Sequence, residues 1–227
     1  SQMLYGDATA TVPFVSAADL FVQVRKLIQA DPDAPACIWA YWGALDDIQH
    51  DYGTWGEESS AEVRNLAYSL RTELLEPLKR SKACAATLML TADHGHIHVT
   101  DEDVVSATKL RKLRDALTVP PTGTGRSAYL HLRDGAAAPL KEYLRKTLDG
   151  RALVLSSGDA LTEGLWGPGR ARAEVPGRVG DLLLLMRDAH TLFYPYRKGF
   201  KPSNLTGGRH GGLHEEEMLI PFFCARL

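Results

Sequence analysis

Cysteine is scarce in this 227-residue chain, which has three. Cys37, Cys84 and Cys224 are odd in number, widely separated and set in apolar stretches. Disulfide frameworks and cysteine zinc sites both need paired spacings, so neither fits. The three read as buried free thiols in a reducing compartment, and a cytoplasmic location is the expectation. Long apolar runs are also missing. The run from Leu182 to Met186 is far shorter than a bilayer span, and no charged segment followed by an apolar signal core opens the chain. Charge of one sign is missing as well: 26 Lys and Arg stand against 28 Asp and Glu, a formal net charge of -2. That balance gives no electrostatic ground for a nucleic-acid partner or a membrane surface. No internal repeat or low-complexity tract is visible. What remains, with 44% hydrophobic and 24% charged residues, is an ordinary globular composition, long enough for one large domain or a domain with an insertion.

Ser16 with Asp19 three residues later resembles a capping box, and Leu20, Val24, Leu27 and Ile28 follow at helical spacing, which predicts a helix over 17–30. Ala36 to Trp42 is apolar with a β-branched and aromatic centre, and reads as a buried strand. Ser59 and Glu62 repeat the capping pattern before a helical face of Val63, Leu66, Leu70, Leu74 and Leu78 that runs to about Arg80. The strand Thr87–Leu90 then delivers Asp93 and His94 at its end. Strands of this kind, apolar on both faces and alternating with helices, argue for an α/β fold with a mainly parallel sheet flanked by helices. After Thr100 the pattern changes to short strands around one helix near 140–148. We therefore expect an α/β core over 1–119 and 197–227 interrupted by a small α+β insertion at 120–196. Met218 to Leu227 reads as the last strand.

Three segments place Asp and His beside turn residues: Asp46 with His50, Asp93 with His94, and His210. The four-residue spacing of the first pair aims both side chains at one point from a helical turn. Gly95 lets the backbone turn sharply past the Asp-His pair. Each piece alone has a bland reading, as a helix cap, a solvated His or a loop residue between glycines. Together they offer five hard or borderline ligands at strand ends and Gly-rich turns, an inventory that suits a two-metal site.

These residues resemble the motifs of the type I phosphodiesterase/nucleotide pyrophosphatase family of the alkaline phosphatase superfamily. "YWGALDDIQHDYG" is similar to the family's Asp-x-x-x-His-x-Tyr-Gly motif, "TADHGH" to its Asp-His-Gly motif, and "RHGGLHEEEMLIPFF" to its C-terminal His-Gly segment. The resemblance implies an alkaline-phosphatase-like fold, incomplete at its N-terminal side, and two divalent ions, with Zn²⁺ first and Mn²⁺ second. One ion would be held by Asp46, His50 and His210, the other by Asp93 and His94. It also implies an Asp and a Thr or Ser nucleophile in an earlier βα unit that has no counterpart here. Thr9, Thr11 and Thr54 follow no strand that carries a ligand Asp. The expectation is a C-terminal portion of a longer enzyme acting on a small phosphate-ester substrate, inactive alone and partnered by the missing N-terminal portion. Sulfatase, phosphonate hydrolase and phosphoglycerate mutase activities belong to the same superfamily, and a non-catalytic scaffold relative is the alternative of a different class.

The remaining polar residues carry weaker expectations. His96 and His98 read as a solvated strand edge, His214 as surface, and Glu215 to Glu217 as a solvated turn with one capping carboxylate. Trp42 is expected in the core, while Tyr52 and Trp55 flank the site. Arg209 is either a phosphate contact or an exposed Arg.

Overall fold

A computed structural model describes residues 6, 8–31, 34–81, 86–197, 199–201 and 205–227. The helices are α1 (Ala17–Ala30), α2 (Ala44–Tyr52), α3 (Glu57–Ser69), α4 (Glu76–Ser81), α5 (Arg111–Ala116), α6 (Ala137–Thr147), α7 (Ser157–Thr162), α8 (Val175–Val179) and α9 (Glu215–Met218). The strands are β1 (Thr87–Thr91), β2 (Ile97–Val99), β3 (Val104–Ser106), β4 (Thr122–Gly123), β5 (Ser127–Leu130), β6 (Ala152–Ser156), β7 (Leu182–Met186), β8 (Thr191–Phe193), β9 (Gly207–Arg209) and β10 (Phe222–Arg226). The fold is mixed α/β. It divides into one unit of Ser1–Asp47, Glu57–Thr91 and Pro221–Leu227, and another of Ile48–Gly56 and Ala92–Ile220, with α2 running across the division.

In the first unit, α1 starts where the cap predicts: Ser16 Oγ accepts from the Asp19 N–H at 3.2 Å. Its buried face, Leu20 and Phe21, packs with Leu74 and Leu78, and Val24 and Ile28 flank them. The second predicted helix begins earlier than its capping pattern indicates. Glu57 opens α3, and Ser59 is already buried inside the first turn. Helix α3 continues through a π-helical stretch, Leu70–Leu75, into α4. Strand β1 pairs antiparallel with β10, with Thr87 opposite Arg226 and Thr91 opposite Phe222.

The second unit holds the larger core. Four strands pair antiparallel in the order β4-β5-β7-β6. All five residues of β7 are buried, which is why its sequence is an unbroken apolar run rather than an alternation. Leu182, Leu184 and Met186 pack with Leu113, Leu140 and Leu144 from α5 and α6, while Leu183 and Leu185 pack with Ala160 from α7. Each such fully buried leucine contributes about 1.5–3 kcal/mol relative to exposure.

Several sequence expectations change. Residues 36–42 form no strand and lie mostly exposed, because among the described residues no strand runs alongside to pair their N–H and C=O groups. The parallel pairing expected of the main sheet occurs among the described ladders only between β3 and β8. Cys37 and Cys224 are exposed rather than buried, since every residue of β10 is exposed. Cys84 lies outside the described residues. No helix among the described residues is long and apolar enough to cross a membrane.

Candidate metal centre

Two short elements and one helix bring four histidines together. Asp46 and His50 stand one turn apart on α2, which ends at Tyr52, where the Gly53 N–H closes on the Gln49 carbonyl at 2.9 Å. His96 immediately precedes β2 and His210 immediately follows β9. These strands pair antiparallel, with Ile97 opposite Arg209 and Val99 opposite Gly207, so the register continued by one residue sets His96 against His210. Strand β9 has glycines at 207 and 208 for a steric reason. A Cβ at Gly208 would lie 2.6 Å from the Gln49 carbonyl oxygen and one at Gly207 2.4 Å from that of His50. The last turn of α2 therefore rests on bare backbone, which delivers His50 to His210.

Asp46, His50, His96 and His210 each offer a ligand atom, and these atoms all lie within 4.8 Å of one another. The ring centroid of His50 is 5.0 Å from that of His96 and 5.2 Å from that of His210. His94 joins the group by stacking on His210, with centroids 3.7 Å apart and planes 7° off parallel. Its Nδ1 is 3.1 Å from the Gly95 carbonyl oxygen. His50 Nδ1 lies 2.7 Å from the Gly208 carbonyl oxygen and 2.6 Å from Arg209 Nη1. An acceptor and a donor select opposite tautomers of the ring. Donation from Nδ1–H to the carbonyl leaves Nε2 as a bare lone pair, the arrangement that metal-bound histidines use. Three imidazoles and one carboxylate suit a borderline cation such as Zn²⁺, so the residues fit the ion that the motifs imply.

Of the five residues singled out in the sequence, Asp46, His50 and His210 fall in this cluster and His94 stacks against it. The Asp93 side chain is 63% exposed, with Oδ2 3.8 Å from His94 Nε2. His96 is not a solvated edge. It is 9% exposed, its ring 5.0 Å from that of His210, while His98 on β2 is exposed as expected. Alternation gives no signal for it: carried back from β2, the period groups 96 with the exposed His98, on the side opposite the buried Ile97 and Val99. Gly95 is required by close approach rather than by a sharp turn, since a Cβ there would meet the Glu216 carbonyl oxygen at 2.1 Å.

Glu217 corrects the reading of a solvated turn. It is 2% exposed and Arg126 1%, and the two form a bidentate pair in which Arg126 Nη2 donates to Oε2 at 2.6 Å and Nε to Oε1 at 3.1 Å. The Gly212 N–H adds a third bond at 2.8 Å. Burial pushes the Glu217 carboxyl up, but the Arg126 and Gly212 hydrogen bonds, the Arg126 charge and the His214 N–H outweigh it and hold the group below its ordinary value. His214 caps α9, its ring nitrogen accepting from the Glu216 N–H. Arg209 is half-buried and donates to the carbonyls of Thr206 and Gly208, so it braces the loop before His210. Trp42 is half-buried and bonds Glu62, whereas Trp55 is 84% exposed.

No curated protein matches this chain. Among solved structures it is similar to murine ectonucleotide pyrophosphatase/phosphodiesterase 5 in complex with AMP, at 18% identity over 94% of this chain and 54% of that one, with a TM-score of 0.65. The human ectonucleotide pyrophosphatase/phosphodiesterase 5 gives 16% identity over the same shares, with a TM-score of 0.63. Phosphonoacetate hydrolase from Sinorhizobium meliloti 1021 in complex with phosphonoformate gives 23% identity over 98% of this chain and 53% of that one, with a TM-score of 0.61. The chain thus spans about half the length of these solved structures, and at such identities the likeness shows the fold. A family profile goes further: that of type I phosphodiesterase / nucleotide pyrophosphatase matches residues 2–213, almost the whole chain. The Asp46, His50 and His210 cluster lies within that match, and the chain belongs to the type I phosphodiesterase / nucleotide pyrophosphatase family.

Proposed function

We propose that this chain supplies most of the metal-binding half of a hydrolase of phosphate diesters or monoesters. The observation that carries the reading is the gathering of Asp46, His50 and His210, three residues from two distant segments, with donor atoms within 4.8 Å. Asp46, His50 and His210 hold one divalent ion, and Asp93 and His94 contribute to a second. Zn²⁺ is the first choice because imidazole dominates the donors. Bound there, such ions neutralise the phosphoryl oxygens as charge shifts between attacking and leaving groups.

The chain's own residues then have separate tasks. The Gly208 carbonyl and Arg209 hold the His50 ring in place, Arg209 also braces the loop that presents His210, and the 120–196 segment forms one wall of the substrate pocket. The nucleophile is a Thr or Ser contributed by an N-terminal portion, and this chain alone turns over little or nothing. Support for such a partner comes from β1 and β10, whose Met89, Phe222 and Phe223 are exposed apolar side chains.

Elemental analysis of the purified chain tests the metal site, with His50→Ala and His210→Ala beside it. Bound Zn²⁺ that both variants lose supports the reading. Equal metal in all three proteins refutes it. Hydrolysis of a chromogenic phosphodiester by the chain joined to its N-terminal portion, but not by His210→Ala in that context, tests the activity. Phosphonoacetate is assayed in parallel, because one similar solved structure is a phosphonoacetate hydrolase.

A further inference from the structure

We infer that Glu217 is a positioning residue that ties two ligand-bearing segments of the site together, holding His94 and His210 at a fixed separation. The inference rests on the metal-site reading above and deepens it, since it says what sets the spacing between ligands of the two ions. Both segments, Glu217 and Arg126 belong to one unit. The side chain of Glu217 serves the His210 segment. Its Oε1 accepts from the Gly212 N–H at 2.8 Å and its Oε2 from the His214 N–H at 3.3 Å. Its backbone serves the other segment: the Glu217 carbonyl accepts at 2.9 Å from the N–H of Gly95, the residue between His94 and His96.

The glycines at these two contacts show how close the approach is. A Cβ at Gly95 would meet the Glu216 carbonyl oxygen at 2.1 Å, and one at Gly212 would meet Glu217 Oε2 at 2.8 Å. A side chain at either position would push its histidine segment away from the 216–217 turn. Gly211 in turn lies against Thr124, where a Cβ would come within 2.6 Å of Oγ1. The histidine rings of the two segments meet accordingly, His94 on His210 with centroids 3.7 Å apart and planes 7° off parallel.

A carboxylate suits this task. Its two oxygens offer about four lone-pair sites, and four hydrogen bonds reach them, two from Arg126 and one each from Gly212 and His214. Arg126 immediately precedes β5, and its carbonyl accepts from the Met186 N–H of β7 at 2.9 Å, so the tie is fastened to the four-stranded sheet. A buried ion pair adds little net stability, because stripping water from two charges offsets most of their attraction. An apolar pair of the same volume would serve the core as well, but it could not accept the two loop N–H groups. The 120–196 segment thereby reaches the metal ligands through one guanidinium.

The test is Glu217→Gln in the purified chain. Glutamine has nearly the same shape, but either orientation of its amide sets an NH₂ group against two donors. Zn²⁺ affinity by chelator competition should fall about 10–100-fold, the range for residues that orient metal ligands, while circular dichroism confirms the fold. A residue that only stabilises the core lowers Tm and leaves the affinity of the folded chain where it was. Amide hydrogen exchange of the metal-free chain is the second reading: Gly95 and Gly212 should lose protection together, and by more than the amides of β7. If Glu217→Gln does not keep its fold, Arg126→Lys, which keeps the charge and loses the fork, is read in the same two ways. Wild-type Zn²⁺ affinity in the folded variant overturns the positioning role, and so does faster exchange at Gly212 with Gly95 unchanged. A wild-type chain that binds no Zn²⁺ overturns the metal-site reading instead, and the exchange of Gly95 and Gly212 still decides whether Glu217 ties the two segments.

Discussion

Arg126→Met is the substitution whose cost follows most directly from the structure. Arg126 and Glu217 are both almost wholly buried and joined by two parallel charge-assisted hydrogen bonds. Arg126 also donates through Nη1 to the His190 carbonyl. Methionine fills much of the same volume, so the loss is one of charge pairing more than of packing. Breaking a buried pair by removing one partner costs about 3–5 kcal/mol, because the remaining charge has no water to return to. Glu217 keeps the Gly212 and His214 N–H groups, at 2.8 and 3.3 Å, which places the expected loss at the lower end, about 3 kcal/mol. For a chain of this length that lowers Tm by about 6–12 °C. Urea and thermal denaturation followed by circular dichroism measure it, with Arg126→Lys as the control that keeps the charge and loses the fork. A fall of less than about 2 °C in Arg126→Met would refute the reasoning, since it would mean that water reaches the carboxylate once the guanidinium is gone. The pair also anchors the segment just after His210, so the same variant should bind Zn²⁺ more weakly.

The remaining expectations are briefer. Glu217 is held below its ordinary value of 4.5, and Asp103 below 3.8 by the Thr100 hydrogen bonds that outweigh its burial, with His190 and His98 adding to them. Depressed carboxyls contribute stability that is present above their unfolded values and lost as pH falls through the folded ones. The urea midpoint should therefore hold above about pH 5 and drop below pH 4, and Glu217→Gln should flatten that drop. Gly95→Ala should cost at least about 2 kcal/mol, because the added Cβ meets the Glu216 carbonyl oxygen at 2.1 Å while the Gly95 N–H is bound to Glu217 at 2.9 Å. Denaturation indistinguishable from wild type would show that the 215–217 turn can move away. Cys37 and Cys224 are exposed, so a thiol reagent should label both without denaturant. Cys37→Ser and Cys224→Ser should each remove one fast equivalent, and slow labelling of either would restore the buried reading.

The parts of this fold that could be read from the sequence are those whose cause is local. Ser16 and Asp19 are three residues apart, and α1 begins between them. The run at 182–186 is apolar without alternation, and β7 is buried on both faces. Asp46 and His50 needed only a helical turn to converge. The misreadings share the opposite property. Ala36 to Trp42 has strand composition, but a strand exists only where another offers its backbone, and among the described residues none does. Glu217 sits in a run of three glutamates that looks solvated, and the residue that buries it is 91 positions away. His94 reads from the Asp-His pair, whereas His96 reads with His98 as a solvated strand edge, which is where the two-residue period puts it. What separates His96 from His98 is neither residue type nor period but the antiparallel register against Gly207–Arg209. Motif spacing alone therefore leaves His96 outside the histidine cluster, and its place there appears only when two segments more than a hundred positions apart are paired.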